Sequence, residues 1–192
     1  MKSAMRYEVE QKHRVDDAAA LTAQLAARGV TIEPPLVQSD RYFAHPARDF
    51  AKTDEALRIR TTGDKSYVTY KGSKLDATTK TRRELELPLH PDDTGARQFA
   101  ELLAALGFTP VAVVHKQRRK FYLPHAGQHV EGSLDEVDGL GTFVELELVA
   151  DDDTVEEAKR VIRELATELE LGPSIRTSYL EMLLERQPSH AN

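Results

Sequence analysis

The sequence predicts an α+β domain in which an eight-stranded antiparallel sheet forms a β-barrel with helices packed outside it. Three observations carry that expectation. Eight runs alternate apolar and polar residues with the period of two of a β-strand. Four segments space their apolar residues as helices do, and the connectors between elements are short. At 192 residues and 40% apolar content the chain suits one domain, 1–192, with its core at about 5–185 and a frayed tail from Gln187.

The strand-like runs are 5–15, 37–43, 55–62, 65–72, 79–89, 111–123, 128–136 and 142–150. Gly63-Asp64 suits a tight hairpin between the third and fourth, and Ala126-Gly127 another between the sixth and seventh. The first helix is expected from Asp16 or Asp17 to about Arg28, ended by Gly29. The second spans about 92–106 before Gly107, with Phe99, Leu102, Leu103 and Leu106 as its buried stripe. Thr154 to Glu157 has the spacing of a capping box and opens the third, which buries Val155, Ala158, Val161, Ile162, Leu165 and Leu169. The fourth begins near Ser174 and groups Tyr179, Leu180, Leu183 and Leu184.

Composition narrows the classes of function. A net charge of −6 argues against a nucleic-acid partner, whose affinity is supplied by a basic face. An anionic ligand would have to be drawn by a local concentration of Lys and Arg. The absence of cysteine excludes disulfides and thiolate metal sites. No stretch approaches the roughly 18 apolar residues of a membrane span, and the N-terminus lacks the apolar core of a secretory signal. A cytoplasmic protein with no membrane partner is the expectation.

The polar faces of the strands are sorted by charge. Glu8, Glu10, Lys12 and Arg14 share one face of the first, and Arg58 and Arg60 one face of the third, opposite Leu57 and Ile59. Thr69 and Lys71 lie on the fourth; Arg82, Glu84 and Glu86 on the fifth; Lys116, Arg118 and Lys120 on the sixth. The seventh offers Asp135, and the eighth Glu145 and Glu147. A merely solvated face would mix such residues without sorting them by strand. With four helices available to cover apolar sheet surface, the apolar parity can face outward and the charged parity line the lumen of a barrel. Charges of both signs in a lumen are costly unless matched. Carboxylates suit a hard divalent cation, and Arg and Lys suit phosphate oxygens, so a metal-bound triphosphate would satisfy both sets.

Glu8-Val9-Glu10-Gln11-Lys12 resembles the ExExK signature of the CYTH superfamily, the triphosphate tunnel metalloenzymes. Further matches are Leu57-Arg58-Ile59-Arg60, Tyr70-Lys71-Gly72, Thr81 to Glu86, Lys116-Gln117-Arg118, Leu134-Asp135 and Gly141 to Glu147. Asp40 to Phe43, Arg48 to Leu57 and Ser178 to Leu183 look most like the class IV adenylyl cyclase branch. His13 departs from the apolar residue expected after the signature lysine, and its parity assigns it to packing or the surface.

The resemblance implies an eight-stranded tunnel that binds a metal-chelated triphosphate. It assigns Glu8, Glu10, Glu84, Glu86, Glu145 and Glu147 to binding Mg²⁺ or Mn²⁺, with Asp135 either joining them or serving as partner to a lumen arginine. Lys12, Arg58, Arg60, Lys71, Arg82, Lys116 and Arg118 would bind the triphosphate, and Lys12 is also the candidate catalytic residue. Three functions follow: conversion of ATP to 3′,5′-cyclic AMP and pyrophosphate; hydrolysis of inorganic triphosphate, thiamine triphosphate or a nucleoside triphosphate; or non-catalytic polyphosphate or nucleotide binding. The partner is a small triphosphate-containing molecule, and a homodimer is compatible with each reading.

Overall fold

The computed structural model describes residues 7–73, 84–91 and 93–186. Their strands are β1 (Tyr7–Arg14), β2 (Leu36–Ala44), β3 (Ala56–Thr62), β4 (Lys65–Lys71), β5 (Glu84–Pro88), β6 (Thr109–His125), β7 (Gln128–Val137) and β8 (Gly141–Ala150). They form one sheet in the order β1-β8-β7-β6-β2-β3-β4-β5 with antiparallel neighbours throughout. The sheet curls into a half-barrel whose edge strands are β1 and β5. Residues 79–83 of the expected fifth strand lie outside the described residues.

Local chemistry fixes the hairpins. Ala126 and Gly127 both have positive φ, the backbone twist that a two-residue turn between right-twisted strands requires. Gly132 serves close packing instead, since a Cβ there would lie 2.1 Å from the Phe121 ring on the neighbouring strand. The missing side chain makes room for that ring, which is fully buried.

Five helices pack outside the strands: α1 (Ala18–Ala27), α2 (Phe50–Thr53), α3 (Asp93–Ala105), α4 (Val155–Glu168) and α5 (Tyr179–Arg186). Asp17 caps α1 by accepting from the Ala20 amide at 2.9 Å. The capping box expected at Thr154 does not form. Asp151 takes the Thr154 amide at 3.0 Å and its hydroxyl at 2.7 Å, while the Glu157 carboxylate pairs with Arg160. The reciprocal pair occurs instead before α5, where the Glu181 amide donates to Ser178 Oγ at 3.1 Å and the Ser178 amide to Glu181 Oε2 at 2.6 Å. That helix therefore starts later than expected: Ser174 lies in an extended stretch bridged to His13. The short α2, capped by Asp49, had no apolar periodicity to announce it.

The outward parity carries the main core. Val9, Phe121, Val144 and Leu146 pack with Leu21 and Leu25 of α1 and Val161, Ile162 and Leu165 of α4. Ile59 and Phe43 meet Leu103 of α3. Leu102 and Leu106, expected in the same stripe, are 51% and 60% exposed, because only the Leu103 side of α3 reaches the sheet. A third cluster lies at one end of the concave face, where Tyr179 of α5 packs with Tyr42, Val114 and Phe143. His13 is buried on the outward face, its Nδ1 2.6 Å from the Gly172 carbonyl oxygen, and burial pushes its pKa down.

Candidate functional site

The concave face encloses a cavity of about 700 Å³. Period-two alternation delivers the charged side chains to it: Glu8, Glu10 and Lys12 from β1, Arg58 and Arg60 from β3, Lys71 from β4, Glu84 and Glu86 from β5, Lys116 and Arg118 from β6, and Glu145 and Glu147 from β8. Arg82 lies outside the described residues. Asp135 lies behind the cavity wall, with no exposed surface.

Two buried aspartates hold the basic wall. Asp40 on β2, opposite Arg60 in register, accepts from Arg60 Nε and Nη2, both at 2.7 Å, and from Arg58 Nη1 at 3.3 Å. Burial opposes ionisation of Asp40, yet Arg58 and Arg60 overcome it and hold its pKa well below the carboxylate range. Asp135 on β7 stands opposite Arg118. It accepts from Arg118 Nε at 2.7 Å, from Arg118 Nη2, from Lys116 Nζ at 3.0 Å and from the Tyr179 hydroxyl at 3.1 Å. Against the cost of burial, Arg118 and Lys116 keep Asp135 ionised. Both of its oxygens are thus engaged by donors. Lys116 is pushed down to about 8, first by burial and then by the Arg118 charge.

The acidic side has two centres. At the open edge of the sheet, Lys71 Nζ lies 3.1 Å from Glu8 Oε2 and also contacts Glu84. Glu8 is pushed up to about 8 by burial, partly offset by Lys71 and reinforced by a hydrogen bond with Glu84. Burial acts on Glu84 in the same sense, but the Glu8 hydrogen bond and Lys71 outweigh it and pull its pKa down to about 2. Deeper along the sheet, Glu10, Glu147 and Glu131 form one row across β1, β8 and β7. Glu147 is pushed up to about 7 by burial, then by the nearby Glu10 charge. Glu145 is tied to Arg118, and Glu86 accepts from the Thr69 hydroxyl at 3.0 Å.

Among the described residues no three acids or histidines converge into a ready-made cation cage. The donor set nevertheless fits a hard divalent cation. It consists of carboxylate oxygens alone, and Glu147 is forced towards neutrality by burial beside other acids, a cost that a cation would lower.

Lys12 is 1% exposed, donates to the Thr177 carbonyl and sits 4.2 Å from the centre of the Tyr179 ring. Asp40, Glu131 and Tyr179 are the site residues that sequence reasoning did not nominate. Extending the period-two reading along β2 and β7 reaches Asp40 and Glu131; nothing in the helical periodicity of α5 announces that Tyr179 turns into the site.

The same cavity is also lined by the segment between β2 and β3 and by apolar residues of β6 and α5. Phe50, Val111, Leu180 and Leu184 contribute apolar lining, with Arg48 stacked 5.3 Å from the centre of the Phe50 ring and paired with Glu55 at 3.0 Å.

Comparison with known proteins places these residues in a family context. Residues 6–179 match the CYTH domain model. A Methanocaldococcus jannaschii protein named provisionally as an adenylate cyclase is 36% identical over 180 residues, covering 91% of this chain and 97% of the relative. Adenylate cyclase CyaB of Aeromonas hydrophila is 30% identical over 173 residues, 87% of this chain and 82% of the relative. The solved structure of the PH1819 protein from Pyrococcus horikoshii superposes with a TM-score of 0.82 at 39% identity, covering 94% of this chain and 99% of that one.

Proposed function

The chain belongs to the CYTH domain family, and from that premise we propose that it converts ATP to 3′,5′-cyclic AMP and pyrophosphate. One observation supports the reading beyond the family: the charged strand residues and the apolar side chains of Phe50, Val111, Leu180 and Leu184 line a single cavity. Its volume, about 700 Å³, lies within the range of small-molecule sites. A cavity lined by both charged and apolar side chains suits a nucleotide, which is charged at one end and aromatic at the other.

The ribose 3′-oxygen forms a bond to the α-phosphorus, the bond from that phosphorus to the β-bridging oxygen breaks, and pyrophosphate leaves with the electron pair. Arg58, Arg60, Lys71, Lys116 and Arg118 bind the phosphate oxygens and offset the charge that builds on the leaving group. Asp40 and Asp135 fix two of these pairs before substrate arrives, so little reorganisation accompanies the reaction. Mg²⁺ or Mn²⁺ held by Glu8, Glu10, Glu84, Glu86, Glu145 and Glu147 would supply Lewis-acid polarisation of a phosphate or hydroxyl oxygen. Lys12, an ammonium donor to the Thr177 carbonyl, adds charge at the phosphates while the 3′-hydroxyl proton passes to solvent, and Asp135 acts by positioning Lys116 and Arg118.

A second reading, metal-dependent hydrolysis of a triphosphate, is favoured by the charged walls themselves, which would hold three phosphates without any nucleoside. Purified protein incubated separately with ATP and with tripolyphosphate, in Mg²⁺ or Mn²⁺, separates the two. Cyclic AMP and pyrophosphate in equal amounts from ATP are expected. Orthophosphate from tripolyphosphate without cyclic AMP from ATP would overturn the cyclase reading.

A further inference from the structure

One aromatic side chain on α5 touches three charged groups that come from three different strands. Tyr179 is 7% exposed and lines the cavity. Its ring centre is 4.2 Å from Lys12 Nζ on β1 and 5.2 Å from Lys116 Nζ on β6. Its hydroxyl donates to Asp135 Oδ2 on β7 at 3.1 Å. The ring is itself wedged against Phe143, with centroids 5.1 Å apart.

We infer that Tyr179 is a positioning residue of the site, aiming the Lys12 and Lys116 ammonium groups through its ring face and fixing Asp135 through its hydroxyl. The inference rests on the reading that this channel binds triphosphate. A lysine carries its charge on a flexible four-carbon stem, so the direction of the ammonium group is set by what surrounds it. Lys12 and Lys116 are both buried, where a charge needs compensation. Lys116 finds part of it in Asp135, and Lys12 donates to the Thr177 carbonyl, two residues before Tyr179. The negative face of the ring supplies a further, directional attraction to both.

The backbone leading into α5 is tied to the same place. The Ile175 amide donates to the Lys12 carbonyl at 2.6 Å, Ser174 bridges to His13, and the His13 ring bonds the Gly172 carbonyl. The segment from Gly172 to Tyr179 therefore runs along β1 beside Lys12 and delivers the ring to it. This C-terminal stretch, which periodicity marks only as another amphipathic helix, is part of the site.

The test separates the ring from the space it fills. Tyr179→Phe keeps the ring, whereas Tyr179→Leu keeps apolar volume without a π face. Dissociation constants for tripolyphosphate and for ATP, measured by calorimetry in Mg²⁺, are expected to rise at least about tenfold in Tyr179→Leu and to stay within about threefold in Tyr179→Phe. Site-resolved acylation of Lys12 by an amine-reactive ester, followed by mass spectrometry on ligand-free protein, should run several-fold faster in Tyr179→Leu than in the other two. Equal Lys12 acylation in all three proteins overturns the inference, whatever ligand binds. Failure of the unsubstituted protein to bind either triphosphate refutes the functional reading instead, and leaves the acylation comparison to decide the role of Tyr179. Should Tyr179→Leu not fold, phenylalanines with one to four ring fluorines at position 179 keep the shape while weakening the π face. Stepwise faster acylation with fluorine number then supports the inference, and a flat series overturns it.

Discussion

Glu8 on β1 and Glu84 on β5 meet the same Lys71 ammonium at the open edge of the sheet. These strands are the first and last in sheet order, so one lysine and two acidic side chains link the two edges of the half-barrel. The same three groups line the proposed triphosphate channel. Closure of the sheet and the charge state of the site are consequently one property.

Stability without a divalent cation should fall as pH rises from about 6.5 to about 8. Glu8 and Glu147 have folded pKa values raised to about 8 and about 7, so the folded state binds more protons than the unfolded one in this window. Their contribution is complete below the unfolded carboxylate value and is lost as pH rises through the folded one. Asp40, Asp135 and Glu84 are held low and lose their contribution only under acid conditions. Lowered His13 acts in the opposite sense, at and below its ordinary value, and Lys116 does so above about 8. Thermal melts should show the decline in chelator, a flatter curve in Mg²⁺, and a shallower slope for Glu8→Gln. A flat chelator curve would contradict the assignment.

The Glu8→Gln, Glu10→Gln double variant should remain folded by circular dichroism and lose turnover by roughly 100-fold or more, the scale on which preorganised electrostatic contacts act. Mn²⁺ binding followed by electron paramagnetic resonance should weaken in parallel. Unchanged activity would remove these carboxylates from the metal site.

Asp135→Ala should cost about 3–5 kcal/mol in urea unfolding, because it takes from buried Lys116 its carboxylate partner and leaves Arg118 with Glu145 alone. Asp40→Ala releases Arg58 and Arg60, whose side chains are 11% and 14% exposed against 2% for Lys116, so its main effect is expected on tripolyphosphate affinity, weakened about tenfold. Equal effects of the two substitutions on both measurements would refute this division.

Phe50→Ala should raise the KM for ATP about tenfold, the lower end of what one aromatic contact to a base contributes. Tripolyphosphate binding should be unaffected, since Phe50 is an uncharged side chain on α2 and not on a strand that carries the basic residues. A matching loss for both ligands would remove Phe50 from nucleoside recognition.

The strands and their inward faces were legible because alternation is a local property: Glu8, Glu10 and Lys12 announce a common face within five residues. The organisation behind the walls was not, because it depends on register. Asp40 meets Arg60 across a hairpin, and Asp135 meets Arg118 across another, through pairings no local window contains. The capping box went to Ser178 because Asp151 engaged Thr154 first, a competition between two short polar patterns that sequence alone does not rank. Leu102 and Leu106 look like core by spacing, but spacing gives a stripe without saying how wide a surface waits to cover it.

A sheet edge ordinarily has to be hidden, since its free amides and carbonyls invite another chain to join. Here β1 and β5 face each other and are latched by titratable groups, so the strength of the latch can be dialled by solution conditions while the rest of the ladder stays fixed. Amide exchange in β5 should therefore quicken when the Lys71 latch is weakened by salt, at conditions where exchange in β6 and β7 does not change. The molecule carries its own ionic-strength gauge in the seam where its two ends meet.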